Sequence, residues 1–276
     1  MKTKRAFLAL QLIATSPVVT AQQAGNTRQS PHFEIAEASG YMPTNVERHF
    51  DEIYAVVVER LGVSLDETVK VVFSPPDPGP CRQRGAMMLP PPGVETDRPP
   101  IVWVFADEST DPRQISAAWA HELGHAVQYF AIDGGQSIAS IYVEGFATWA
   151  AGPYWLEWQG ADSFRSVVAS YIAAGTYLPL HENDGFLDTV SEEAAARFGD
   201  DCLNQRDIIY TEWAAFIDYL VEEHGRERLY SLFRTPPLVS DDEATPFRRP
   251  NFPAVYGSPL ERLEAEWLER LASGGP

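Results

Sequence analysis

Basic charge is scarce in this chain. It carries 21 Lys and Arg against 39 Asp and Glu, a formal charge of −18. That balance excludes a protein held to nucleic acid or to anionic lipid by phosphate contacts. Cysteine is nearly absent: Cys81 and Cys202 are the whole complement. Two such residues, so widely spaced, rule out both a disulfide-dense scaffold and a cysteine zinc knuckle. Beyond the first twenty residues no apolar run approaches the length that crosses a bilayer, so stable membrane insertion is not expected. Internal repeats and low-complexity tracts are missing as well. What is present is 45% hydrophobic residues with seven Trp, enough for a substantial core.

The N-terminus reads as a targeting segment. Lys2, Lys4 and Arg5 precede an apolar stretch from Ala6 to about Val19, and Val19-Thr20-Ala21 supplies small residues for a signal-peptidase cut. The expectation is a signal peptide over 1–21 and export to the periplasm or the exterior. A flexible segment over 22–31 and one domain over 32–276 then follow. In an exported chain the even cysteine pair predicts a Cys81–Cys202 disulfide.

Within that domain the pattern predicts a sheet-containing part (32–132) and a helical part (133–276). Residues 32–39 alternate apolar and polar like a strand, and 68–74 and 101–106 are β-branched strands. Residues 44–62 have helical period and stop at Gly62. Residues 75–100, rich in Pro and Gly, read as a long loop. Asp111-Pro112 opens a helix running to about Ile132. Further helices are expected over 137–150, 191–198, 207–225 and just after it. A Pro-rich loop (236–257) precedes a last helix opened by a Ser258–Glu261 capping box. The fold class is α+β: a small mixed sheet packed on the helix of residue 121, then a mostly helical subdomain.

That helix carries "WAHELGHAVQYF". Residues four apart share one helical face, so His121 and His125 can aim both imidazoles at one metal ion. Glu122 lies on a neighbouring ridge, able to reach a water on the metal without binding the metal. A zinc ion there lowers the pKa of its water to about 7, and the glutamate takes the proton. The bland reading is two satisfied histidines in a core helix. Against it, Ala118, Trp119, Leu123, Ala126, Val127 and Phe130 make the surroundings apolar, and a buried imidazole pair without a partner is costly. Gly124 weakens the helix by about 1 kcal/mol relative to Ala, which a close approach of another backbone would explain. A catalytic zinc needs a third protein ligand. Glu144, 19 residues past His125, sits on the next helix with the small Gly145 and Ala147 beside it.

His121, Glu122, His125 and Glu144 together resemble the gluzincin pattern of zinc metallopeptidases such as thermolysin. "VEGFATWA" is most similar to the aminopeptidase branch and to bacterial peptidase MA-like proteins. "IIYTEWAAFIDYLVEEHGRERLYSLF" resembles the tyrosine-led helix downstream in that group, with Tyr210 placed 66 residues beyond Glu144. The resemblance covers roughly 100–235. It implies one Zn2+ held by His121, His125 and Glu144, Glu122 as general base, Tyr210 as donor to the oxyanion, and a peptide or protein substrate. "GAMML" at 85–89 is a departure. It resembles the amine-binding segment of the aminopeptidases, but Met88 stands in place of the glutamate, and the spacing to His121 looks too long. No carboxylate stands at i+4 from Glu144, where Thr148 is found. His181 reads as a solvated loop histidine. The strand over 101–106 is the expected cleft edge, where an extended peptide can add. Two rival readings are a zinc hydrolase of another amide, such as cell-wall peptides, and an idle binding module on the same scaffold. The oligomeric state is left open.

Overall fold

A computed structural model describes residues 27–38, 40–76, 85–89, 100–132, 141–182, 202–239 and 248–273. The expected signal peptide, the helix over 191–198 and Cys81 lie outside these residues, and the Cys202 side chain does too.

The fold is α+β, as the sequence pattern predicts. Five strands, β1 (Thr27–Gln29), β2 (Phe33–Glu37), β3 (Val69–Ser74), β4 (Ala86–Leu89) and β5 (Ile101–Phe105), form one mixed sheet. Its order is β1-β2-β3-β5-β4. The β2–β3 and β3–β5 pairs are parallel, whereas β1–β2 and β5–β4 are antiparallel. Two expectations change here. Part of the segment expected to be flexible is strand β1, which pairs with β2. The long loop contains β4, whose Met-Met core carries little β-branched signal and whose flanks are rich in proline. The edge next to the motif helix is therefore β4. The strand at 101–106, expected to be that edge, is paired on both sides.

Helix α1 (Val46–Leu61) buries Val46, Phe50, Ile53, Val57 and Leu61 on one stripe and ends at Gly62, which adopts φ 67. Helix α2 (Pro112–Val127) starts where Asp111 accepts the Arg113 backbone N–H at 2.9 Å, with Pro112 in the first turn. Alternate residues of the central strands, among them Phe33 and Phe73, meet Phe50 of α1 and Trp119 of α2. The Phe50 and Trp119 rings stack at 4.4 Å, and Phe33 meets Trp119 edge-on at 5.0 Å. This aromatic layer bolts α2 to the sheet.

After α2 the chain makes a π turn (Gln128–Ile132). Helices α3 (Ile141–Ala151), α4 (Pro153–Gln159) and α5 (Phe164–Ala174) follow, then α6 (Cys202–His224) and α7 (Arg226–Arg234). The expected Pro-rich loop holds a two-strand ribbon, β6 (Leu238–Val239) with β7 (Arg248–Arg249), and a short helix α8 (Phe252–Tyr256). Helix α9 (Leu260–Ala272) begins at Pro259 with no side-chain cap, so the Ser258 capping box does not form. Helix α3 is enclosed by α2 and α6. A cross-tie joins the two parts of the chain: Arg60 of α1 donates to the Trp149 carbonyl at 2.7 Å and to Asp218 of α6 at 2.9 Å. The Trp149 indole N–H donates to the same Asp218 carboxylate at 2.7 Å.

Candidate metal centre

Small residues set the spacing of the three helices that build the site. A Cβ added at Gly124 of α2 would sit 2.9 Å from Ala150 Cβ and 3.0 Å from Ala147 Cα of α3. A Cβ at Gly145 of α3 would sit 2.2 Å from Trp213 Cβ of α6. The glycine that weakens the motif helix is thus explained by a backbone packed against it, and the small pair 145/147 lets α3 pack tightly against both neighbours.

That packing brings His121, His125 and Glu144 together. Glu144 Oε2 lies 3.1 Å from His121 Nε2 and 3.3 Å from His125 Nε2, and the two Nε2 atoms are 3.1 Å apart. Ligands held 2.0–2.1 Å from a tetrahedral zinc lie about 3.3–3.4 Å from one another, so this triangle has nearly the size of one face of that tetrahedron. Two imidazole nitrogens and a carboxylate oxygen are also the donor types that zinc takes. Among the described residues this is the group of three whose atoms could hold a metal ion. The histidine side chains are 7% exposed and that of Glu144 is 29%, so the triangle is closed behind the imidazoles and open beside the carboxylate. That asymmetry leaves room for a fourth, non-protein partner.

The electrostatics divide the two carboxylates. Burial pushes the Glu122 carboxyl up, against the pull of His125 and His121. Burial also works on Glu144, but the adjoining imidazoles and their hydrogen bonds hold it well below the usual carboxylate range. Burial disfavours the charged form of His125, yet the Glu144 carboxylate outweighs it and raises the imidazole. Two neighbouring carboxyls driven in opposite directions are suited to different tasks: one stays ionised, the other holds a proton more readily than a free glutamate.

The surroundings answer several expectations. Tyr210 of α6 stacks on His121 with ring centroids 5.5 Å apart and planes 5° from parallel, and its phenol meets Glu144. Burial and that carboxylate push the phenol well above its ordinary value, so it remains an O–H donor. Trp155 of α4 packs beside both rings, 5.7 Å from His121 and 6.3 Å from Tyr210. The Met88 backbone N–H of β4 donates to Glu122. The "GAMML" segment therefore reaches the site although the sequence spacing looked too long, because β4 returns antiparallel to β5 beside α2. Met88 N–H faces away from β5, since the hydrogen-bonded pair is Gly85 with Phe105, three residues out of phase with it.

Sequence reasoning looked for a carboxylate at i+4 from Glu144, found Thr148 there and gave it no role. Thr148 Oγ1, fully buried, lies 3.1 Å from His121 Nδ1. Its signal was its position, one turn beyond Glu144 on the same helix face. His181 is not a free loop residue. Its Nδ1 lies 2.6 Å from Glu264 of α9, whose buried carboxylate also accepts the Leu180 N–H at 2.6 Å and the Tyr177 hydroxyl.

No protein-family model matches the chain, and no curated protein matches it significantly. Solved structures that resemble it include two forms of one enzyme. One is an M1 zinc metallopeptidase from Deinococcus radiodurans, a glutamate-to-alanine variant bound to a Tyr-Ser-Ala substrate. It is 17% identical with a TM-score of 0.44, covering 88% of this chain and 51% of that one. The other is the same variant without the substrate, 16% identical with a TM-score of 0.43, covering 88% and 50%. The chain spans about half the length of these structures. Likeness at this level assigns no chemistry, which rests on the His121–His125–Glu144 triangle described above.

Proposed function

We propose that this chain is an exported, zinc-dependent metallopeptidase of gluzincin type. The observation that carries the proposal is the triangle of His121, His125 and Glu144 with Glu122 beside it and its carboxyl raised. Bound there, one zinc ion would act as a Lewis acid and make a water nucleophilic near neutral pH. The chain's own residues supply the rest. Glu122 takes a proton from the attacking water and returns it to the departing amine, a task that a raised carboxyl pKa suits. Tyr210 donates its O–H to the oxygen that becomes negative as the peptide carbon turns tetrahedral. An extended substrate lies along β4, the sheet edge whose Met88 N–H already points at Glu122. A peptide substrate is favoured over other amides by that edge. Export rests on the basic N-terminus and the apolar run over residues 6–19. Among the described residues no helix is long and apolar enough to cross a membrane.

The test pairs zinc content with cleavage of a peptide library by the wild type and Glu122→Gln. The substitution keeps size and hydrogen bonding but removes the base, so zinc should stay and turnover should fall by about 10²–10⁴-fold. Hydrolysis that survives in Glu122→Gln at wild-type rate refutes the mechanism. A zinc-loaded wild type that cleaves no member of the library refutes the peptidase assignment.

A further inference from the structure

His121 has its outer nitrogen on Thr148 at 3.1 Å, but the outer nitrogen of His125 makes no bond of comparable geometry. Nδ1 of His125 is buried without a hydrogen bond of full geometry, and the Gln128 side chain is a polar neighbour that acts on this imidazole from outside the triangle. If Nε2 takes a metal, a neutral imidazole must carry its proton on Nδ1, and a buried N–H without an acceptor costs about 1–3 kcal/mol. One helical step away there is a matching orphan. Gln128, three residues on and 2% exposed, has its amide oxygen Oε1 buried and equally unpartnered. One is a donor without an acceptor, the other an acceptor without a donor. They lie on the same face of one helix.

The backbone gives an independent reason to connect them. Gln128 is where α2 gives way to the π turn. Its own N–H is shared between the Gly124 and His125 carbonyls. A π turn widens the helix and re-aims the side chains that begin it, and such turns recur at functional sites. A glutamine is also a poor choice for a position this buried unless its amide is used.

We propose that Gln128 is a positioning residue for the metal site: its amide oxygen accepts the Nδ1–H of His125 and so presents Nε2, lone pair outward, to the ion. The proposal rests on the metal-site reading above. It extends that reading to a residue that touches neither ion nor substrate. With it, both histidines are oriented by uncharged partners, Thr148 and Gln128, which fix the tautomer without adding a second negative charge to a site that already holds Glu122 and Glu144.

Zinc affinity, measured by competition with a chromophoric chelator, should fall by about 10–100-fold in Gln128→Leu, which keeps the volume and loses the acceptor. Gln128→Glu, which restores an acceptor, should recover most of that loss. Unfolding of the zinc-free proteins separates orientation from packing. Leu in place of an unsatisfied amide should leave the zinc-free fold as stable as the wild type or more so. Nitrogen-15 spectra of histidine-labelled, zinc-loaded wild type give a second readout that needs no variant: His125 should be metal-bound at Nε2 and carry its proton on Nδ1. Equal zinc affinity in Gln128→Leu, or a zinc-loaded His125 bound through Nδ1, overturns the proposal. A wild type that takes up no zinc overturns the metal reading itself, and this role with it.

Discussion

Replacing Gly145 by Ala should damage both the fold and the site, and the size of the damage can be worked out. The new methyl would sit 2.2 Å from Trp213 Cβ and 3.1–3.2 Å from the Trp213 backbone. Carbon atoms rest at about 3.5–4.0 Å, so α3 and α6 must part by about 1.3 Å or more. The obstacle is a Cβ fixed to a helix backbone, and no side-chain rotation removes it. Overpacking of this kind costs about 1–3 kcal/mol, and the upper end applies here. Ala returns about 1 kcal/mol of helix propensity. The net loss is about 2 kcal/mol, or roughly 4–8 °C in Tm for a domain of this size. Glu144 adjoins Gly145 on α3 and Tyr210 lies on α6, so the same displacement pulls the Glu144 carboxylate from the tyrosine. Misplacement by about 1 Å can cost roughly 10²-fold in rate. Gly124→Ala is the graded comparison: its methyl meets Ala150 Cβ at 2.9 Å, so the required shift is smaller. Thermal unfolding followed by circular dichroism, with zinc titration, measures both effects. A Gly145→Ala protein that melts within a degree of wild type, or one less affected than Gly124→Ala, would refute the described packing.

Tyr210→Phe should keep zinc and fold while losing about 10²–10³-fold in peptide turnover; unchanged turnover would make the tyrosine a packing residue. Glu212 of α6 is buried with one carboxylate oxygen unpartnered, and burial raises its carboxyl well above the ordinary value. Its ionisation is therefore opposed in the folded state, which costs stability as pH rises above the unfolded value of about 4.3. Glu212→Gln keeps an acceptor for the Leu178 N–H and has no proton to lose, so its Tm relative to wild type should be higher at pH 7 than at pH 4. A gain that is the same at both pH values would count against a protonated Glu212. Burial lowers the His181 imidazole, but its Glu264 hydrogen bond prevails and raises it. The stability from this pair is complete below the unfolded pKa of about 6.5 and fades as pH climbs through the higher folded value. Urea titration of His181→Ala should show its larger deficit at pH 5.5 and a smaller one at pH 9; the reverse order would exclude an ion pair.

The histidine pair was legible because helical spacing alone puts residues 121 and 125 on one face. The third member was legible because a helix rich in small residues follows within 19 positions of His125. Gly62 and Asp111-Pro112 mark real helix ends, and the stripe of α1 is the one that periodicity gives. Strand β4 escaped because four residues between Pro- and Gly-rich flanks are too few to show a period, and two of them are methionine. With β4 missed, β5 was mistaken for the edge. Strand β1 escaped because three polar residues have no buried side to betray them. The use of Thr148 and Gln128 could not be read for another reason: it depends on which nitrogen of each imidazole faces Glu144, and that is settled by the packing of α2 on α3. The Ser258 box failed because Pro259 takes the cap position itself.

The Arg60 cross-tie bears on the order in which the chain can fold. Its carboxylate partner is 158 residues away. Closing a loop of that length costs about 4–5 kcal/mol of chain entropy before any contact repays it. During synthesis α1 emerges long before α6, so its guanidinium waits beside the growing core without Asp218 to neutralise it. Sheet and early helices are therefore poorly equipped to stand as a separate unit. A nascent or truncated chain that stops short of α6 would expose the apolar face of α3 that Trp213 covers, the condition under which partly folded chains aggregate.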